Sequence, residues 1–369
     1  MTVCQPDVPR VTVDDLLRAV DGGSADLVST VFHDLEKPLS PAEREAVLSL
    51  ARRWYEAGAE AELRRRTGAS GPAGRARVMD DEYHHCEEIT LGGVTVRDGH
   101  AAILTWCEEQ FEIRTPFEEL VTRALAFPDR DHMVRWQVSN TLGCRWDDET
   151  WSAVLALRAH PDHIRRLLAM DVLFSHTTTR YVPDDGTWAS SPYEDRAYDV
   201  FAAWVEEERH PLVLPNVLVG LVQYYDPRNE AVGLRFAGHA DPEVRGIVPG
   251  LLESREPFSP AAREALCALM RDPSTPVRCS AVVTVAEHPD PHPALRDALA
   301  ERFGDEDEAV RVMAVFGLAE RDDPRCVAGR DRMAPVEDPE RYGYGVLDAT
   351  QRYEERRDGT GDGWRWRRH

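Results

Sequence analysis

Lysine is almost missing from this chain: Lys37 is the only one in 369 residues, and arginine supplies the rest of the 44 basic side chains. That imbalance reads as the codon bias of a high-GC bacterial genome rather than as a device for phosphate recognition. Basic charge is scarce overall, because 66 aspartates and glutamates leave a net charge of −22. A surface of that sign repels a phosphate backbone or an anionic bilayer, so nucleic acid and membrane drop out as default partners. It suits solubility, and it suits a protein or peptide partner that is itself basic. Long apolar runs are missing too, since no stretch approaches the roughly 20 residues needed to span a bilayer. The opening MTVCQPDVPR has no basic segment followed by an apolar one, so no secretory leader is expected.

Cysteine is sparse. The seven residues (Cys4, Cys86, Cys107, Cys144, Cys267, Cys279 and Cys326) are odd in number, scattered, and never arranged as C-x-x-C. Four of them, Cys107, Cys144, Cys267 and Cys279, fall inside helical patterns, where a free thiol acts as a small apolar residue. The expected compartment is a reducing cytoplasm. Catalytic signatures are absent as well: there is no G-x-S-x-G, no lysine-bearing phosphate loop and no H-E-x-x-H. No cofactor is expected, and an enzyme is the weaker expectation.

What the chain does have is a rhythm. Val244-Arg245, Val277-Arg278 and Val310-Arg311 stand 33 residues apart, and each opens an apolar run: Gly246–Leu252, Cys279–Ala286 and Val312–Ala319. Equal spacing of matched segments is the mark of stacked repeats, each too small to bury its apolar stripe alone. An earlier step of 30 residues separates Val134-Arg135 from Ile164-Arg165, and Val217-Leu218 is a degenerate copy with leucine for arginine. Helix starts punctuate the rhythm. Ser40-Pro41-Ala42-Glu43 combines an N-cap serine, proline at the first helical position and glutamate three residues on, with Leu48, Leu50, Ala51 and Trp54 as the apolar stripe. Ser259-Pro260 repeats that start, and Thr115-Pro116-Phe117-Glu118 is another. The aspartate preceding each Val-Arg is placed to cap free N–H groups, and the arginine to bridge to an aspartate of the adjacent repeat.

The rhythm fails in four places. Arg64–Arg77, rich in Gly, Ser, Pro and Arg, reads as a flexible loop. Gly92-Gly93 between two β-branched runs predicts a small β-hairpin. Thr177–Asp195 is a long polar insertion carrying Tyr181, Trp188 and Tyr193, residue types that anchor interfaces. Beyond Pro324 the periodicity fades and the chain ends in Trp364-Arg365-Trp366-Arg367-Arg368. The expected organisation is a divergent helical cap (1–65), a loop and hairpin insertion (66–100), a repeat array with an inserted loop at 177–195 (101–324), and a C-terminal cap and tail (325–369).

The phrase Asp-x-x-Val-Arg, at Asp131–Arg135, Asp241–Arg245 and Asp307–Arg311, resembles the HEAT-like repeats of the bilin-lyase type. That resemblance implies an all-α fold: a right-handed α-solenoid of stacked antiparallel helix pairs, with the second helices lining the concave side. HEAT-like solenoids include DNA glycosylases that use tryptophans and an aspartate on a basic concave surface. Trp136, Trp146, Asp147, Asp148 and Trp151 give a superficially similar mixture, and net acidity counts against it. A basic groove lined by Trp136 and Trp151 would favour that activity, whereas an acidic groove would reject it.

Asp80–Glu88 is the densest run of metal-ligand types. In a helix, His84 and Glu88 would share a face, with His85 as the remaining candidate ligand. Adjacent residues cannot all point at one ion, so a solvated acidic loop is expected there rather than a metal site. The functional expectation is a cytoplasmic scaffold that binds a protein or peptide through its concave face, with Tyr181, Trp188, Tyr193, Arg135 and Arg165 at the contact. The alternative is an enzyme with a groove active site, either a base-excising glycosylase or a small-ligand lyase. Nothing in the sequence fixes the oligomeric state.

Overall fold

A computed structural model describes residues 10–175, 192–333, 335–336, 342 and 345–360, together with the backbone of 180–182 and 187–189. The chain forms two compact units, one up to Ala197 and one from Tyr198. In the first, α1 (Val13–Gly22), α2 (Ala25–His33), α3 (Pro41–Ala57) and α4 (Ala59–Thr67) lead into an antiparallel sheet. Its strands are β1 (Gly74–Met79), β2 (His85–Leu91) and β3 (Val94–Arg97). Then come α5 (His100–Gln110), α6 (Phe117–Leu125), α7 (Met133–Gly143), α8 (Asp148–Arg158) and α9 (His163–Ser175). The short strands β4 (Arg180–Val182) and β5 (Thr187–Ala189) pair before α10 (Glu194–Glu207), which carries the boundary between the units.

The second unit continues with α11 (Leu214–Val222), α12 (Asn229–Phe236), α13 (Pro242–Leu251), α14 (Pro260–Leu269) and α15 (Thr275–Glu287). It closes with α16 (Pro293–Ala300), α17 (Glu308–Ala319), α18 (Arg325–Arg332) and α19 (Ala349–Asp358). The fold is all-α, built from stacked helix pairs. Within this unit α11, α13, α15, α17 and α19 pack in succession as one layer, and α12, α14, α16 and α18 form the other. In the first unit α1, α3, α5, α7 and α9 stack in the same alternating way. Among the described residues no helix is long and apolar enough to cross a membrane.

Local chemistry explains the helix starts. Thr12 with Asp15 and Ser40 with Glu43 form reciprocal capping boxes, and Pro41 fills the first turn of α3. Ser259 caps α14 through the Ala262 N–H. Thr115 does not cap α6; its hydroxyl instead donates to the buried Glu108 at 2.6 Å.

The Val-Arg phrases are joints. Arg245 sets Nε and Nη2 on Asp272 at 2.7 and 2.8 Å, while its Nη1 reaches back to the carbonyls of His239 and Ala240. Arg278 does the same with Asp305 ahead and the Asp272 and Pro273 carbonyls behind. In the 160s the backward pair, to His160 and Pro161, belongs to Arg166. Arg166 rather than Arg165 is therefore the joint of that repeat. Asp241 and Asp307 cap their helices, whereas at α7 the cap is His132 and not Asp131.

Between α4 and α5 the structure departs from the expected loop. α4 runs to Thr67 and β1 starts at Gly74, pairing along β2 from Gly74↔Thr90 to Met79↔His85. The hairpin expected at Gly92-Gly93 is present: Leu91 faces Val94, and both glycines have positive φ, 60° and 80°. Such a two-residue turn matches the right-handed twist of its strands. A side chain at Gly92 would also lie 2.6 Å from Thr67 Cβ.

Candidate functional site

Of the residues expected to meet a partner, Tyr193 and Arg135 are held inside the helix stack. Tyr193 is 7% exposed; its ring stacks on Trp151 at 5.0 Å, and its hydroxyl donates to Asp148. Arg135 is 1% exposed and donates from Nε and Nη2 to Asp171. Both are packing residues, because a solvated partner cannot reach side chains held inside the stack. Arg165 is half-buried. The backbones of Tyr181 and Trp188 sit opposite each other in the β4–β5 ribbon, and their side chains lie outside the described residues.

Residues 80–88 are not helical, so His84 and Glu88 do not share a helix face. His84 belongs to the β1–β2 turn and Glu88 lies in β2 opposite Arg97. The two histidines diverge: His84 Nδ1 bonds Asp81 at 2.8 Å, and His85 Nε2 bonds Asp129 at 3.0 Å. Among the described residues, ligand-type atoms instead gather at Cys86, Asp98 and His132. Hydrogen bonding explains that cluster without an ion. His132 Nδ1 accepts the Val134 N–H at 3.2 Å, so the ring proton of the neutral form sits on Nε2 and points at Asp98 Oδ1, 3.2 Å away. A metal-bound histidine needs its other nitrogen as a donor, and this one accepts. Burial, together with Asp80 and Asp98, pushes the Cys86 thiol up and keeps its proton on.

The Asp80–His84 turn matters differently. Asp80 accepts from the N–H groups of Ala25 and Asp26 at the start of α2 and from Arg97, pinning the turn to the helix N-terminus. Asp81 then accepts from the Tyr83 N–H and from His84. The His84 ring rests against Trp136 at 4.7 Å. Trp106 is held edge-on by Phe32 at 5.0 Å and 90°. The outcome is a cleft of about 220 Å³ between α2, α5, α7 and the turn, lined by Asp26, Asp81, Trp106, Glu109, Trp136 and Gln137 among others.

Its electrostatics are one-sided. Asp26 and Glu109 make no ion pair with any described residue; the Asp26 pKa is raised by partial burial and then by the charges of Asp80 and Asp81, with Arg97 opposing, and Glu109 lies in the field of Arg145. Asp81 is desolvated too, but hydrogen bonds from His84 and the turn backbone outweigh this and hold it low. A larger space of about 420 Å³ lies on the other side of Asp26, but there Arg97 already neutralises Asp80. Indole rings beside carboxylates that are in no ion pair among the described residues form a cation-binding arrangement. No local motif marks it, because its walls come from positions 25–29, 81, 106–110 and 133–140.

The X-ray structure of Escherichia coli YibA is similar in fold, with a TM-score of 0.50 and 17% identity over 66% of this chain and 83% of that one. A crystal structure of an engineered protein aligns with a TM-score of 0.44 and 15% identity over 95% of both chains. At 17% identity the likeness to YibA establishes the helical-repeat fold alone. No protein-family model matches the chain. No curated protein matches it either.

Proposed function

We propose that the chain is a HEAT-like helical scaffold whose first unit holds a basic segment of a protein or peptide partner in the Trp106–Trp136 cleft. The observation that carries this reading is the pair of carboxylates, Asp26 and Glu109, that line an indole-walled cleft without an ion pair to any described residue. A basic segment would supply the missing positive charge, and the long-range field of a chain at net −22 would speed its approach. A reducing cytoplasm goes with this reading, since Cys86, Cys107, Cys267 and Cys326 carry free thiols. The glycosylase alternative loses its motive, because Trp136 lines an acidic cleft while Trp151 is buried against Tyr193.

Isothermal titration calorimetry with a basic peptide and a charge-reversed counterpart tests the proposal. The basic peptide should bind, weaken with added salt, and lose most of its affinity for the Asp26→Asn/Glu109→Gln protein. Equal heats from both peptides, or none from either, would reject it.

A further inference from the structure

Resting on that reading, we propose that the group seated in the cleft is the guanidinium of an arginine in the partner segment, not a lysine ammonium. The polarity of the wall follows from one chain of hydrogen bonds. A carboxylate only accepts, so the 2.7 Å bond between Thr141 Oγ1 and Glu109 Oε2 uses the threonine's single proton. Thr141 can then only accept from Gln137, at 3.2 Å, which turns the Gln137 amide nitrogen toward Thr141. Gln137 Oε1 is left over. This side chain is 4% exposed, lines the cleft, and has no partner for Oε1 among the described residues.

That oxygen faces the solvent of the cleft as an acceptor with no protein donor among the described residues, a position that an incoming N–H can take over from water. Together with Glu109 Oε1 and the Asp26 carboxylate, the wall presents acceptors from three side chains beside two indoles. A guanidinium matches that wall: it carries five N–H donors in a planar fork and no acceptor, and it stacks on aromatic faces. It is also less strongly hydrated than an ammonium, so it loses less on entry. A lysine offers three donors around one compact, strongly hydrated charge, without the planar fork for bidentate pairing or the flat face that stacks on an indole. The size agrees. At about 220 Å³ the cleft falls below the roughly 300–1,000 Å³ of small-molecule sites and fits one long side chain.

Three peptides identical except for arginine, lysine or citrulline at one central position provide the test, by calorimetry on the full chain. The arginine peptide should bind about tenfold more tightly than the lysine peptide, the scale of a partly desolvated cation–π contact. Citrulline, isosteric but neutral, should bind least. Gln137→Met should erase most of the arginine preference, weakening the arginine peptide several-fold more than the lysine peptide. Equal affinity for arginine and lysine would overturn the inference and leave the basic-partner reading standing. Binding of none of the three would remove both. Free arginine amide binding as tightly as the peptide would overturn the assignment to a peptide segment.

Discussion

Arg278 grips Asp305, 27 residues further on, with Nε and Nη2 each 2.9 Å from a different carboxylate oxygen. Both side chains are nearly out of solvent, at 9% and 3% exposure. Removing Arg278 leaves the nearly buried Asp305 only the longer Arg302 contact at 3.6 Å and the Asp307 N–H, a loss toward the lower end of the about 3–5 kcal/mol of a broken buried pair, whereas replacing both partners with apolar groups is often near neutral. Arg278→Ala should therefore lower the urea midpoint markedly. Arg278→Met combined with Asp305→Leu should recover most of it. A single variant that unfolds at the native midpoint would show that the joint carries no stability.

That joint was legible in the sequence because valine, arginine and aspartate recur at a fixed spacing. Its exact residue was not legible at Ile164-Arg165-Arg166, where two adjacent arginines compete and only the backbone decides which reaches the preceding turn. Gly92-Gly93 announced its hairpin through the positive φ the turn demands. β1 gave no warning. It is largely exposed along its length, so the alternation that marks a half-buried strand is absent and its pairing with β2 is a tertiary effect. The cleft was beyond reach for another reason: Asp26, Glu109 and Gln137 lie on three different helices, and only the stacking of α2, α5 and α7 makes them neighbours.

Close approach between stacked helices gives the next expectation. A Cβ at Gly317 of α17 would stand 2.7 Å from Ala286 Cα and 2.8 Å from its Cβ on α15, with Leu299 of α16 at 3.0 Å. Backbone cannot yield as a flexible side chain can. Gly317→Ala should destabilise by about 1–3 kcal/mol, the usual range for overpacking, despite alanine's better helix propensity. A thermal melt at or above the native Tm would contradict the tight packing of α15 on α17.

Two buried histidines, His100 and His288, make the fold acid-sensitive. His288 accepts the Asp290 N–H on Nδ1, a role that protonation abolishes. Burial holds His288 below its ordinary value, and pulls His100, stacked on Trp54, down to about 4. The unfolded chain binds protons at these groups near pH 6.5 and the folded chain does not. Their stabilisation is thus complete above pH 6.5 and is lost as pH falls toward 4. The Tm should decline over that window. His100→Phe, which keeps a ring on Trp54 and removes the titration, should decline less steeply; an unchanged slope would clear His100 of the effect.

Asp26 works in the opposite sense. Its folded pKa lies above 3.8, so the protonated form favours the folded state. That contribution is full below pH 3.8 and disappears as pH rises through the shifted value, leaving a repulsive charge in the folded protein at neutrality. Asp26→Asn should accordingly raise the Tm at pH 7 and leave it unchanged near pH 3. The same substitution removes an acceptor and a negative charge from the cleft, so it should weaken binding of the arginine peptide. A gain in stability joined to a loss of affinity separates a binding residue from a structural one, because a side chain that only supports the fold would lower both. Differential scanning calorimetry and peptide titration on one preparation of the variant decide between the two outcomes.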